Sequence, residues 1–344
     1  MRLVRLGLCT VLAVCSLARS ANGGCLASKP VKEPKCALVA YEQSTRVLVI
    51  PPTAHVVKAH FSNDSSQIAV LLETPDKRRF VRVWEAVNGS ALGGEEIPSN
   101  PALVDTVFGI HRNELIFAEV IQFGANAGNR LSRIALGTGE RIAIKDLGGW
   151  ISGTVAICVE KKTVAFAIAN EIRMYDENVD REIRRWPCLG HKCIAVSADG
   201  RSIAAGDNRG DIIVVDTEVE ARSHRIKVSK HGIHFLAWSP NADLLVALSD
   251  DGRLSIVEVT AGRVRSTSSI AFPVACAFTR RRGEIIVLGD KGKVSLTSAT
   301  DLKEITSISG ENSRGLAISP DGTAWVLSDG IGACTVVTSK PQSE

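Results

Sequence analysis

The sequence predicts an all-β, seven-bladed β-propeller whose N-terminal strand completes the last blade. Three observations predict it. Two consecutive copies of one unit stand at 190–216 (GHKCIAVSADGRSIAAGDNRGDIIVVD) and 230–259 (KHGIHFLAWSPNADLLVALSDDGRLSIVEV), and each reads as three short β-rich runs separated by turn residues. Comparable units recur along the chain, with anchors near Phe61, Ile110, Cys158, Val196, Trp238, Phe278 and Ile318 spaced 38 to 49 residues apart. One strand-like run, residues 45–50 (TRVLVI), arrives before any unit has begun. A unit of this kind cannot bury both its faces alone, so its neighbours must stack beside it.

In chain order, residues 25–44 contain Pro30 and Pro34 with no periodicity and read as a linker. The early strand 45–50 supplies what the last blade lacks, because that blade shows three strands before the polar tail at 339–344. Pairing the two removes an open sheet edge. Blade one spans 55–97, with VRVW before Glu85; blade two spans 103–144; blade three spans 147–186 and includes EIRMYD. The paired copies are blades four and five, and VACAF and GLAISPDG open blades six and seven. In Ala198-Asp199-Gly200 and Asp250-Asp251-Gly252, Asp can bond its own backbone and Gly accepts positive φ, so both are hairpin turns. Trp84, Trp238, Phe278 and Ile318 are the expected large core residues.

These residues resemble WD40 repeats. Gly190-His191 stands where that family's Gly-His pair opens a blade, and Ser239-Pro240 matches its Ser-Pro turn. Trp84-Glu85, Tyr175-Asp176, Val215-Asp216 and Val257-Glu258 occupy its closing Trp-Asp position, and no copy carries both pairs complete. The resemblance implies a propeller of the WD40/YVTN-like kind, with blade-opening histidines His191 and His231 bonded to neighbouring turns.

Residues 1–24 carry Arg2 and Arg5, an apolar run over 6–18 and then small residues. About a dozen apolar residues suits a secretory leader better than a membrane span. The expected site is therefore secreted or extracytoplasmic; a mitochondrial presequence is the alternative, since the first acidic residue is Glu33. Cleavage after Ser20 removes Arg2, Arg5 and Arg19, so the formal charge falls from +4 to +1. That balance gives no electrostatic reason for a nucleic-acid partner, and no membrane span is expected once the leader is gone.

Cys25, Cys36, Cys158, Cys188, Cys193, Cys276 and Cys334 would remain, too widely spaced for a tetrahedral zinc site. Cys188 and Cys193 bracket a turn; a disulfide between them and a pair of buried thiols both stay open. Asn63-Asp64-Ser65 and Asn88-Gly89-Ser90 fit the N-glycosylation pattern, so Asn63 and Asn88 are candidate acceptors.

Asp207, Asp250, Asp251, Asp290 and Asp329 recur between the second and third strands of blades four to seven. Turn chemistry accounts for them; a carboxylate-lined mouth for a cation or basic partner is the sharper reading. His231 and His234 are three apart, and strand alternation sends them to opposite faces, which disfavours shared metal ligation. Arg280, Arg281 and Arg282 form a basic turn that can contact an acidic partner on a rim.

No nucleophile elbow, phosphate loop, dinucleotide motif, zincin motif or haem site appears, and no cofactor or metal is expected. With 5 Trp and 2 Tyr, stacking platforms for sugars are few. The expectation is a non-catalytic protein-interaction scaffold. The alternatives are a secreted propeller enzyme, a hydrolase or quinone-type oxidoreductase with its site in the central channel, and a mitochondrial assembly component.

Overall fold

The computed structural model describes residues 41–341 apart from 49–53, 63, 98–102, 112–113, 122–127, 136–137, 139, 147–155, 159–161, 169, 177, 179, 189, 220–222, 271–272, 280–282, 290, 309–313 and 329–333. The leader, Asn63, Asp290, Asp329, Cys25, Cys36 and Arg280 to Arg282 therefore lie outside the described residues, as do the side chains of Cys158 and His191.

Every described element is a strand, and the strands group into seven four-stranded antiparallel sheets in the arrangement of a β-propeller. Sheets one to six are each made of four consecutive strands, so that, for example, sheet four runs His191–Val196, Ser202–Asp207, Asp211–Asp216 and Ser223–Lys227. Their first strands contact one another in succession, and the first strand of sheet seven, Arg314–Ile318, touches His55–Phe61 of sheet one. Sheet seven takes its fourth strand from the head of the chain: Tyr41–Leu48 pairs along its whole length with Cys334–Pro341.

That strand begins at Tyr41, so residues 41–44 are not linker, and its partner runs to Pro341, into what reads as polar tail. Neither segment has β-rich composition of its own; each is held in the sheet by the other's backbone hydrogen bonds, which local sequence does not advertise. The outermost strands of sheets four and five, Ser223–Lys227 and Arg263–Ser269, are likewise absent from the three-run reading of the repeats.

Side chains from facing sheets interlock to form the core. Between sheets seven and one, Leu48, Phe61, Trp84, Val326 and Val336 form one buried cluster, which ties the head of the chain into the closure. Between sheets four and five lie Cys193, Ile212, Ile233, Trp238 and Val257. Trp84, Trp238, Phe278 and Ile318 are all buried, and the Trp238 indole Nε1–H donates across the boundary to the Ala195 carbonyl at 3.1 Å.

One turn recurs between first and second strands. Ser62, Ser197, Ser239 and Ser319, all buried, each accept from the backbone N–H five residues on at 2.9–3.0 Å and donate to an Asp or Asn two residues on. Gly200 sits at positive φ in this turn as expected, while sheet five places Ala242 there at φ 59°. At the other hairpin, between third and fourth strands, the residue at the closing acidic position holds the turn. Asp216 accepts from the backbone N–H of Glu218 and Val219, Asp176 from Asp180 and Arg181, and Glu85 from the Asn88 amide.

Candidate functional site

A one-residue bulge interrupts the first strand at the same step in several sheets. The register shifts between Val56 and Lys58, His191 and Cys193, Ile233 and Phe235, Pro273 and Ala275, and Gly315 and Ala317. The extra residue in sheet four is Lys192 and in sheet five His234. A bulge breaks the two-residue alternation and re-aims the side chain it carries. The opposite-face argument for His231 and His234 therefore does not hold at this step, because His234 is the bulged residue.

Both bulged side chains turn to one carboxylate. Lys192 Nζ lies 2.5 Å from Asp250 Oδ2, joining sheet four to the turn after the second strand of sheet five, and His234 Nδ1 lies 3.5 Å from Asp250 Oδ1. Lys192 and Asp250 side chains are 41% and 42% exposed, so the cluster is open to solvent. Gly232 makes room for it: a Cβ there would stand 2.7 Å from Asp250 Oδ2 and 2.9 Å from Lys192 Nζ. An exposed pair of this kind contributes at most about 1 kcal/mol to stability, so the fold does not depend on it.

The other aspartates at this level do different work. Asp207 is buried and accepts from the backbone N–H groups of Arg209 and Asp211, both at 2.8 Å, which makes it a turn residue. Asp251 accepts from Ser249 Oγ and pairs with Arg253 at 3.1 Å. Burial works against ionisation of Asp251, yet the Ser249 hydrogen bond and the nearby His231 and Arg253 charges hold its carboxyl below the usual range. In sheet one the corresponding strand end is Glu73, contacted by Lys77 at 2.8 Å, Arg79 at 3.1 Å and His55 at 3.6 Å; the Lys77 hydrogen bond leads in lowering its pKa. Glu73 carries no sequence signal because its partners come from a turn and from the starts of two other strands, with no repeat-like spacing.

Cys188 and Cys193 are not bridged. Cys188 packs in the cluster between sheets three and four and Cys193 in the cluster between sheets four and five, so the two thiols serve opposite faces. Burial pushes Cys188 up to about 11 and Cys193 to about 12. Asn88 is exposed in the turn between the third and fourth strands of sheet one, where its side-chain oxygen accepts from the Ser90 N–H at 2.8 Å. Among the described residues no three His, Cys, Asp or Glu side chains come close enough to share a metal ion, and no helix is long and apolar enough to cross a membrane.

No family model matches the chain. Over 109 residues it is 28% identical to the meiotic recombination protein rec14 of Schizosaccharomyces pombe, a stretch that covers 31% of this chain and 36% of that protein. The chain thus matches about a third of the relative's own length. What the structure carries by itself is a propeller in which, among the described residues, Lys192, His234 and Asp250 form a solvent-open polar cluster between sheets four and five.

Proposed function

We propose that this chain is a seven-bladed, WD40-like propeller working as a non-catalytic protein-interaction scaffold, and that a protein partner docks over Lys192, Asp250 and His234. The single observation behind the reading is that cluster. Two side chains re-aimed by equivalent bulges and one carboxylate meet across a sheet boundary, half exposed, where turn geometry requires none of them. Rigid sheets presenting variable turns suit recognition, and a partial likeness to a recombination protein is compatible with membership of an assembly. The test compares Asp250→Ala and Asp250→Lys with the wild type for binding to a purified co-eluting protein. Loss of binding at unchanged thermal stability supports the reading, and full binding by both variants overturns it.

The leader carries a second part of the proposal, that the chain is exported and Asn88 bears a glycan. Peptide sequencing of the mature N-terminus and glycosidase treatment test it. An N-terminus that retains Met1, or one produced by a mitochondrial processing activity, removes it.

A further inference from the structure

The outer wall of sheets three to five carries a charge pattern that the mouth cluster does not use. The outermost strands there, Glu182–Pro187, Ser223–Lys227 and Arg263–Ser269, contain six cations and one carboxylate, Glu182. In each sheet one acid of the third strand meets two cations. Glu171 lies 2.9 Å from Arg173 and 3.9 Å from Arg185; Asp211 lies 3.1 Å from Lys227 and 3.4 Å from Arg225; Glu258 lies 2.8 Å from Arg263 and 3.7 Å from Arg265. Glu182 is taken by Arg185 at 2.6 Å, while Arg184 donates to the Thr217 carbonyl of the next sheet at 3.0 Å. On the outermost strands themselves, cations therefore outnumber acids six to one. The cations are accessible, with Arg185 58%, Lys227 60% and Arg263 70% exposed.

Protection of sheet edges does not account for this. Charge on an outermost strand blocks unwanted strand addition, and Lys is the residue most used for it, whereas five of these six cations are Arg. Sheets one and six use acids for the purpose: Ala91–Ile97 carries Glu95 and Glu96, and Glu304–Ile308 carries Glu304, with no Lys or Arg in either strand. The choice of Arg over Lys on sheets three, four and five needs a different cause. Bulges that make Ile183 and Arg265 extra residues also twist two of these edges away from main-chain pairing, so recognition there falls to side chains.

We propose that this wall docks an acidic, extended segment of a protein partner, an inference that rests on the scaffold reading and gives it a partner chemistry. Five of the six cations are Arg, whose planar fork matches a carboxylate's two oxygens. Arg185, Arg225, Arg263 and Arg265 each share an acid with a second cation, so a partner's carboxylate completes a pair that is present by half. Polynucleotide binding can draw on some six to ten phosphate contacts, and six cations, most of them already paired with acids of the chain, fall short of that.

The experiment uses the purified full chain and a short fluorescent peptide of alternating Glu and Ser, followed by anisotropy. Saturable binding is expected, weakening as salt rises from about 50 to 200 mM. The variant carrying Arg185→Glu, Arg225→Glu and Arg263→Glu should bind roughly tenfold more weakly or worse. Arg78→Glu on sheet one should bind as the wild type does. A companion variant with Gln at the same three positions covers the case in which charge reversal impairs folding. Asp250→Ala should leave peptide binding intact, so failure of the mouth reading and failure of the wall proposal are told apart. The proposal is overturned if the wild type shows no saturable binding, if the folded triple variants bind equally well, or if an oligothymidylate of equal charge binds more tightly than the peptide.

Discussion

Lys192 Nζ and Asp250 Oδ2 belong to neighbouring sheets and stand 2.5 Å apart above the space left by Gly232. The absent side chain at 232 is what lets the pair close. Gly232→Ala should displace the two flexible ends and change unfolding free energy by less than about 1 kcal/mol, since the pair is solvent-exposed. Denaturant titration checks the energy, and a variant structure checks the displacement. A large loss of stability would mean that the pair belongs to the framework.

Trp238 both fills the boundary between sheets four and five and donates to the Ala195 carbonyl. Trp238→Ala should cost about 3 to 5 kcal/mol, the usual size for a buried aromatic truncated to Ala. Trp238→Phe keeps most of the volume and loses the hydrogen bond, about 1 kcal/mol of the total. Equilibrium unfolding of both variants separates packing from hydrogen bonding.

The sequence marks the second and third strands of sheets four and five plainly, because runs such as Ile212-Ile213-Val214-Val215 and Leu245-Val246-Ala247-Leu248 are buried on both faces. It hides the fourth strands. In Ser223–Lys227 only Ile226 is buried, so its strand character comes from pairing with Asp211–Asp216 and not from its own composition. The mouth cluster was half visible. Asp250 stood out by position, but alternation placed His234 on the wrong side, since a bulge leaves no mark in a single sequence. Nothing in the residues around Lys192 sets it apart from any other lysine. Gly232 is informative only once its neighbours are known.

Acid should weaken the fold in two stages. Burial pushes His60 down to about 4, so its neutral form is favoured when folded. The stability this supplies is complete above the unfolded value of 6.5 and is lost as pH falls from there toward about 4. Glu73 and Asp251 are held below their ordinary range, and what they contribute is present above about 4 and is lost as pH falls further. Melting temperature measured from pH 8 to 3 should decline first through the histidine window, and His60→Leu should flatten that stage alone.

The head of the chain is needed to finish sheet seven. Deleting residues 41–48 exposes the edge of Cys334–Pro341 and removes Leu48 from its buried cluster. The shortened chain should lose cooperative thermal unfolding and self-associate in size-exclusion chromatography. A monomer as stable as the longer chain would show the closing strand to be dispensable.

The proposed docking surface is tested most directly by hydrogen–deuterium exchange of the chain with and without its purified protein partner. Protection is predicted for peptides covering 190–193, 231–234 and 250–252, where Lys192, His234 and Asp250 meet. If those peptides exchange at the same rate in the complex, and protection falls instead on the opposite turns at 197–202 and 239–244, the mouth between sheets four and five is not where the partner binds.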